Sequence, residues 1–383
     1  MARQDEAPGA RLGITRWWRG KQLGNVRPGA PCRAALHNLT LHKVSRRPML
    51  LFAGLVLVSA ALVLVMIRVG ALDHPVARSS HTRPTPKGGG VGIVAAFALG
   101  MIWVCIYGGP PMHSPALLLG LAAVLLGWVS FLDDLYDWPF LAKLAAQAAA
   151  AGVVLVGPLL LHHGAGPGAG VVFKVALLAG VLLFITNAVN FMDGLNGLAS
   201  GSVAWALAAA AIAAPALAGP LGLPLVAGIL GFLPFNYPRA RIFMGDVGSQ
   251  VCGFVAAEIL VLGLYQARPS LVVPLALLPM LADVAFTLVR RARAGARLTQ
   301  AHRGHLYQIA NRAGMDAWRV TLVYWGMAAW GGALGLAAAK WPVAAALGVV
   351  PVTAVATILA AAPFGVWAIW VARRALRAGL TVW

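Results

Sequence analysis

Charge is scarce in this 383-residue chain, and acidic side chains are scarcest: 11% of the residues are charged, with 11 Asp and Glu against 30 Lys and Arg. Soluble globular domains carry about a quarter of their residues as charges, so no soluble core is expected. Cysteine is nearly missing too. Cys32, Cys105 and Cys252 lie far apart, two of them within apolar runs, and they form neither a zinc nor a disulfide pattern. Residues 1–48 lack any apolar run, and with it the short segment and cleavage site of a secretory leader. No internal repeat is visible, which weighs against a transporter built from duplicated halves.

What the chain does have is hydrophobicity, 60% of its residues, with a mean hydropathy of +0.80. Apolar runs of roughly 17–25 residues recur, each long enough to cross a bilayer as a helix. Eleven are expected, near 49–69, 91–108, 114–132, 141–161, 171–186, 198–214, 219–235, 250–266, 270–289, 318–338 and 343–371. The fold class is therefore all-α, a polytopic membrane bundle of about eleven transmembrane helices.

Orientation follows from the connections. Those after the first, third, fifth, seventh and ninth spans carry most of the Arg and Lys, among them Arg68, Arg83, Lys87, Arg239, Arg241, Arg290 and Arg303. The positive-inside rule makes this face cytoplasmic. Nearly all the acids beyond the first span gather at the same helix ends; Glu258 is the exception. The net charge of +19 is thus segregated by membrane side, which fits anionic lipid and anionic substrate better than nucleic acid. One conflict follows: with eleven spans and a cytoplasmic tail, the basic residues 1–48 fall outside. The expectation is that the native chain starts at Met49, which opens the first apolar run. Residues 1–48 are then a basic extension, disordered or not native, and residues 49–383 form one integral membrane domain.

Five polar stretches interrupt the apolar pattern on the inner face. In the run from Asn187 to Leu198, Asn187, Asn190, Asp193 and Asn196 stand beside Gly194 and Gly197, where one apolar helix hands over to the next. An Asp near a helix centre costs roughly 2.5–3.5 kcal/mol unless it is paired or used. Amide oxygens with a carboxylate suit a hard cation such as Mg²⁺, and the glycines let backbone approach a flat ligand; an ordinary polar connection is the plainer alternative. The loop Arg78-Ser79-Ser80-His81 to Pro84-Thr85-Pro86-Lys87-Gly88-Gly89-Gly90 is held extended by proline and reads as a phosphate cradle or a basic loop. Asp133, Asp134 and Asp137 close the third span, Asp133 and Asp137 sharing a face at i, i+4; they call for a counter-ion or form a solvated terminus. Asp246 sits between Gly245 and Gly248, just before an apolar helix. The longest inner loop, roughly 290–317, carries His302, Arg303 and His305. With no third ligand at metal spacing, this segment suits an anion better than zinc.

In this order the stretches resemble the polyprenyl-phosphate N-acetylhexosamine-1-phosphate transferases, the glycosyltransferase family 4 superfamily that includes undecaprenyl-phosphate GlcNAc-1-phosphate transferase and phospho-N-acetylmuramoyl-pentapeptide transferase. The resemblance covers about Asp73 to Gln308. His302-Arg303-x-His305-x-Tyr307-Gln308 looks like the subgroup that starts O-antigen oligosaccharides, since the triple-histidine signature of the peptidoglycan enzymes is absent. The resemblance implies a ten- or eleven-helix bundle with a cytoplasmic cleft in a bacterial inner membrane. It implies transfer of an N-acetylhexosamine-1-phosphate from a UDP-sugar to undecaprenyl phosphate, with release of UMP and with Mg²⁺, or Mn²⁺, as cofactor. It further places Asn190 and Asp246 on the metal and Asp133 and Asp134 in the chemistry. Lys87, Asn187, Asp193, Gly194, Leu195, Asn196, His302, Arg303 and His305 fall to the substrates, with the prenyl chain along the eighth and ninth spans. A homodimer is compatible with this. The alternatives are a pentapeptide transferase and a transporter of lipid-linked substrates.

Overall fold

The computed structural model describes residues 46–75, 83–107, 110–136, 138–162, 169–265, 271–297, 300, 302–340 and 349–380. The expected extension up to residue 45, the Arg78 to Thr82 part of the proline-rich loop and Asp137 lie outside the described residues. In a bilayer every backbone N–H and C=O must be satisfied within the protein, and helices achieve this within one segment. The apolar runs accordingly fold as α1 (Arg46–Val69), α2 (Gly90–Tyr107), α3 (Pro110–Tyr136), α4 (Phe140–His162), α5 (Ala169–Phe191), α6 (Leu198–Ala213), α7 (Pro215–Asn236), α8 (Asp246–Tyr265) and α9 (Val272–Arg293). After a seven-residue helix, α10 (Leu306–Arg312), come α11 (Ala317–Lys340) and α12 (Val349–Arg377). Among the described residues nine helices are long and apolar enough to span a membrane, and the apolar stretches Phe140–Leu155 and Leu198–Ala213 are shorter. Together they account for the eleven expected spans.

Three details differ from the sequence reading, and each bears on function. α5 runs on to Phe191, so Asn187 and Asn190 occupy its last turns and only residues 192–197 form the connection. Asp246 is the first residue of α8 rather than a residue ahead of it. A carboxylate there faces the free N–H groups and positive end of the helix dipole. The loop after α9 holds α10, which is too short to show as a periodic apolar run.

α8 is the central helix. From Val251 to Val261 its side chains are buried almost throughout, because α2, α3, α5, α6, α7 and α9 all pack against it. Between Val251 and Val261 the eighth span therefore leaves little surface for a prenyl chain, its exposed side chain among the described residues being Leu264 near the far end. α9 and α11 approach closely where Gly331 lies on the Leu275 carbonyl, a position that leaves no room for a Cβ. Such small-residue contacts are the usual means of packing helices in lipid. Outside the helices, β1 (Leu72–Asp73) pairs antiparallel with β2 (Thr85–Pro86), closing the base of the first connection.

Candidate active site

Two chain segments distant in sequence are stitched together by backbone bonds at the start of the site. Gly89 N–H donates to Phe243 O (2.9 Å), Gly90 N–H to Met244 O (2.8 Å), and Phe243 N–H to Pro86 O (2.8 Å). This short ladder sets Lys87 beside the turn into α8. Gly245 in that turn has φ of +77°, and a Cβ built on it would stand 2.7 Å from Asp134 Oδ2. Only glycine meets both demands without strain.

The adjacent acids at the end of α3 point to different partners, as adjacent helical residues must. Asp133 is 4% exposed; its Oδ1 accepts the Trp138 N–H (2.9 Å) and its Oδ2 lies 2.6 Å from Lys143 Nζ. Asp134 accepts the Val247 N–H (3.2 Å), and its Oδ1 lies 3.9 Å from Lys87 Nζ. Lys143, on the first turn of α4, also reaches Asp246 Oδ2 at 3.1 Å. The Asn190 amide donates to Asp246 Oδ1 (3.0 Å) and to Ser249 Oγ (2.9 Å). Asp133, Asp134, Asn190 and Asp246 therefore stand in one cluster, with Lys143 and Lys87 as its cations.

Beneath them lies a band of amides. Gln147 Nε2 donates to Asn187 Oδ1 (3.3 Å) and Gln250 Oε1 (3.2 Å), and Asn187 Nδ2 donates to Gln147 Oε1 (2.5 Å). These bonds tie α4, α5 and α8 together under the acids. The turn after α5 is braced from three sides: Asn236 Oδ1 accepts Gly197 N–H, Thr321 Oγ1 donates to Asn196 O (3.0 Å), and Trp325 Nε1 donates to Gly197 O (3.0 Å).

Two cavities of about 720 Å³ each share Asn190 of this cluster, with Asp193, Gly194, His302 and Gln308; Asp246 lines the first, and Asp133 and Asp134 are not among the described residues lining either. The first is lined by Lys87, Asn190, Asp193, Gly194, Leu195, Asn196, Asp246 and His302, together with Arg83 and Arg239. The second carries Asn187, Asn190, Asp193, Gly194, His302 and His305 on one side, and Phe140, Leu183, Phe184, Val284 and Leu288 on the other. It runs between α5 and α9, so the ninth span does border an apolar channel, with α5 in place of α8. Arg303 is not among the described residues lining either cavity.

Electrostatics distinguish the two ends of the site. Asp193 follows α5; desolvation, then the charges of Asp246 and Asp134, push its carboxyl well above the usual carboxylate range. His302 goes the other way. Burial, then His305, Arg291 and Arg290, lower its pKa to about 4, so at neutral pH it presents an uncharged imidazole.

Magnesium favours oxygen ligands and commonly takes one or two carboxylates, completing its shell with substrate phosphates and water. Asp246, Asp133 and the amide of Asn190 supply such a donor set. No group of three His, Cys, Asp or Glu stands at metal spacing among the described residues, so the set fits a cation completed by its substrates rather than a closed protein cage.

Sequence reasoning missed Lys143, Gln147 and Gln250, and gave no separate role to Ser249 and Gln308, which lie within the motifs it read. Lys143 did leave a signal: a cation in the first turn of an otherwise apolar span is expensive unless used, and Gln147 follows one helical turn later on the same face.

Comparison with known proteins agrees with this geometry. Residues 116–264 match the model of the glycosyl transferase family 4. The chain is 32% identical to the decaprenyl-phosphate N-acetylglucosaminephosphotransferase of Mycobacterium tuberculosis, over 76% of this chain and 82% of that protein. It is 30% identical to the probable undecaprenyl-phosphate N-acetylglucosaminyl 1-phosphate transferase of Bacillus subtilis, over 59% and 66% respectively. A phospho-N-acetylmuramoyl-pentapeptide-transferase of Mycolicibacterium smegmatis is 34% identical over 53% of this chain and 72% of its own length. An acid cluster at the ends of membrane helices, opening on a polar and an apolar cavity and carried by a sequence with these relatives, places the chain in the polyprenyl-phosphate N-acetylhexosamine-1-phosphate transferase superfamily.

Proposed function

We propose that the protein transfers N-acetylhexosamine-1-phosphate from a UDP-sugar to undecaprenyl phosphate at the cytoplasmic face of a bacterial inner membrane, releasing UMP. The observation that carries this reading is the junction of the two cavities. A water-soluble nucleotide sugar suits the polar one and a prenyl chain the apolar one between α5 and α9; the two share Asn190, Asp193, Gly194, His302 and Gln308, with Asp246 in the wall of the first and Asp133 joined to it through Lys143. The geometry of a transporter, with ionisable groups at the midplane of repeated halves, has no counterpart in this cluster at the helix ends.

The reaction brings two anions together, so charge neutralisation and positioning supply most of the rate. Asp246 and Asn190 would hold Mg²⁺ (or Mn²⁺), with Asp133 beside them; when bound, the cation neutralises charge on the diphosphate and the developing negative charge of the transfer. Three carboxylates, Asp133, Asp134 and Asp246, stand against two lysines here. Lys143 holds Asp133 and Asp246 in place. Lys87, Arg83 and Arg239 attract the diphosphate of the sugar nucleotide, while Gly194, Leu195 and Asn196 border its uracil. His302 and His305 donate hydrogen bonds to phosphate or sugar. The attacking oxygen belongs to the lipid phosphate; with a second pKa of about 6 it is mostly ionised at neutral pH. Asp134 orients it and no dedicated base is needed. The P–O bond to UMP breaks as the new diphosphate forms, and UMP leaves with the electron pair.

The sugar is N-acetylglucosamine or a 6-deoxy-N-acetylhexosamine in this reading, and the product initiates O-antigen or a related envelope polysaccharide. The greater coverage of the N-acetylglucosaminephosphotransferase relatives supports it over the pentapeptide substrate. The test is UMP release from purified protein given undecaprenyl phosphate, Mg²⁺ and a panel of UDP-N-acetylhexosamines that includes UDP-N-acetylmuramoyl-pentapeptide. No UMP with any donor defeats the proposal; release with the pentapeptide alone moves the protein to the other branch.

A further inference from the structure

Asp283 is an acidic residue placed deep in α9, 0% exposed, and apart from the acid cluster. Both of its oxygens are fully engaged. Oδ1 accepts Leu306 N–H (2.8 Å) and the Thr287 hydroxyl (3.3 Å), with His305 Nδ1 at 3.5 Å; Oδ2 accepts Tyr307 N–H (3.2 Å) and the Tyr324 hydroxyl (2.6 Å). Two of these donors are the opening backbone groups of α10, a helix of seven residues. So short a helix has no stability of its own in isolation, and its place must come from what grips it. From the far side, Trp367 of α12 leans on Tyr324, with Nε1 3.4 Å from the hydroxyl. On the near side, the Tyr307 hydroxyl donates to Phe191 O (3.0 Å), and a Cβ on Gly194 would overlap that hydroxyl.

We propose that Asp283 is a positioning residue whose carboxylate fixes the His302–His305 segment and, through Tyr307, joins that segment to the Asp193–Gly194 turn. This rests on the transferase reading of the site. A carboxylate in particular is required because four N–H or O–H donors converge on two oxygens, and an amide in its place would turn an NH₂ group toward two of them. The held segment supplies His302 to both cavities and His305 to the second, and Gln308 of α10 lines both. The strut therefore connects a buried acidic side chain to the walls of both cavities.

Asp283→Asn in the full chain tests it. Expected are hydrogen exchange over 302–312 faster by about tenfold or more, kcat/KM for UDP-GlcNAc lower by about tenfold or more, and exchange in α8 as in the wild type. A purely structural role would instead speed exchange throughout the bundle and leave kcat/KM of the folded fraction intact; that result overturns the proposal, as do values within about twofold of wild type for both readouts. Should Asp283→Asn fail to fold, Tyr307→Phe removes only the outer link. It should lower kcat/KM about threefold or more and speed exchange over 191–197; no change in either overturns the strut. A wild-type protein that releases no UMP defeats the transferase reading, while the exchange measurements still decide whether Asp283 holds the segment.

Discussion

Lys143 Nζ lies 2.6 Å from Asp133 Oδ2, joining the first turn of α4 to the last turn of α3, and the same ammonium reaches Asp246 at the start of α8. One cation thus fixes the spacing of two carboxylates from different helices. Lys143→Met removes it and leaves both acids to repel each other. UMP release is expected to fall by about two orders of magnitude, or about 2.7 kcal/mol in transition-state terms, with the protein still monodisperse in detergent. Single-turnover assays measure this directly.

Asp246→Ala and Asp133→Asn strip the donor set itself. Each is expected to abolish transfer while the bundle stays folded, because both side chains sit at helix ends and the core of α8 is untouched. Chelation of the wild type with EDTA should stop UMP release, and added Mg²⁺ should restore it. Turnover that persists in EDTA would take the metal out of the mechanism.

The eleven apolar spans and the polar stretches of the site were legible because hydropathy and helix length are local properties. Pairings between helices were not. Nothing in the sequence near Lys143 says that it meets Asp246, 103 residues away, since that contact comes from how α4, α3 and α8 pack. Asp283 was visible as one more acid near the inner face, but its burial and its grip on α10 depend on a loop whose fold leaves no periodic trace. Asn187 was read as part of a connection because α5 continues one turn beyond its apolar run, carried by the amide band under the acids.

His302 gives a pH prediction with a definite sign. Its pKa falls from an unfolded value of about 6.5 to about 4 in the folded protein. The unfolded chain therefore binds the proton first on acidification. The stability contribution is complete above pH 6.5 and is lost as the pH drops toward 4. His302→Gln should flatten the decline in melting temperature between pH 7 and pH 5 relative to wild type. An unchanged slope would show that another group controls it.

Gly245→Ala places a methyl group where Asp134 now lies and forces a positive φ on alanine, at a backbone cost of about 1–2 kcal/mol. Activity should fall more than stability, because the displaced atoms are those of Asp134 and Lys87. Parallel melting and UMP-release measurements on one preparation separate the two effects.

Leu288→Trp tests the apolar channel between α5 and α9. The larger ring should raise KM for undecaprenyl phosphate and leave KM for the UDP-sugar near its wild-type value. Equal effects on both would argue against a separate lipid path.

Because the two cavities share His302, Asn190 and Asp193 but differ in lining, the proposed products part company by solubility. Nucleotide drains into water while the new lipid diffuses sideways into the leaflet, so neither obstructs the other's departure.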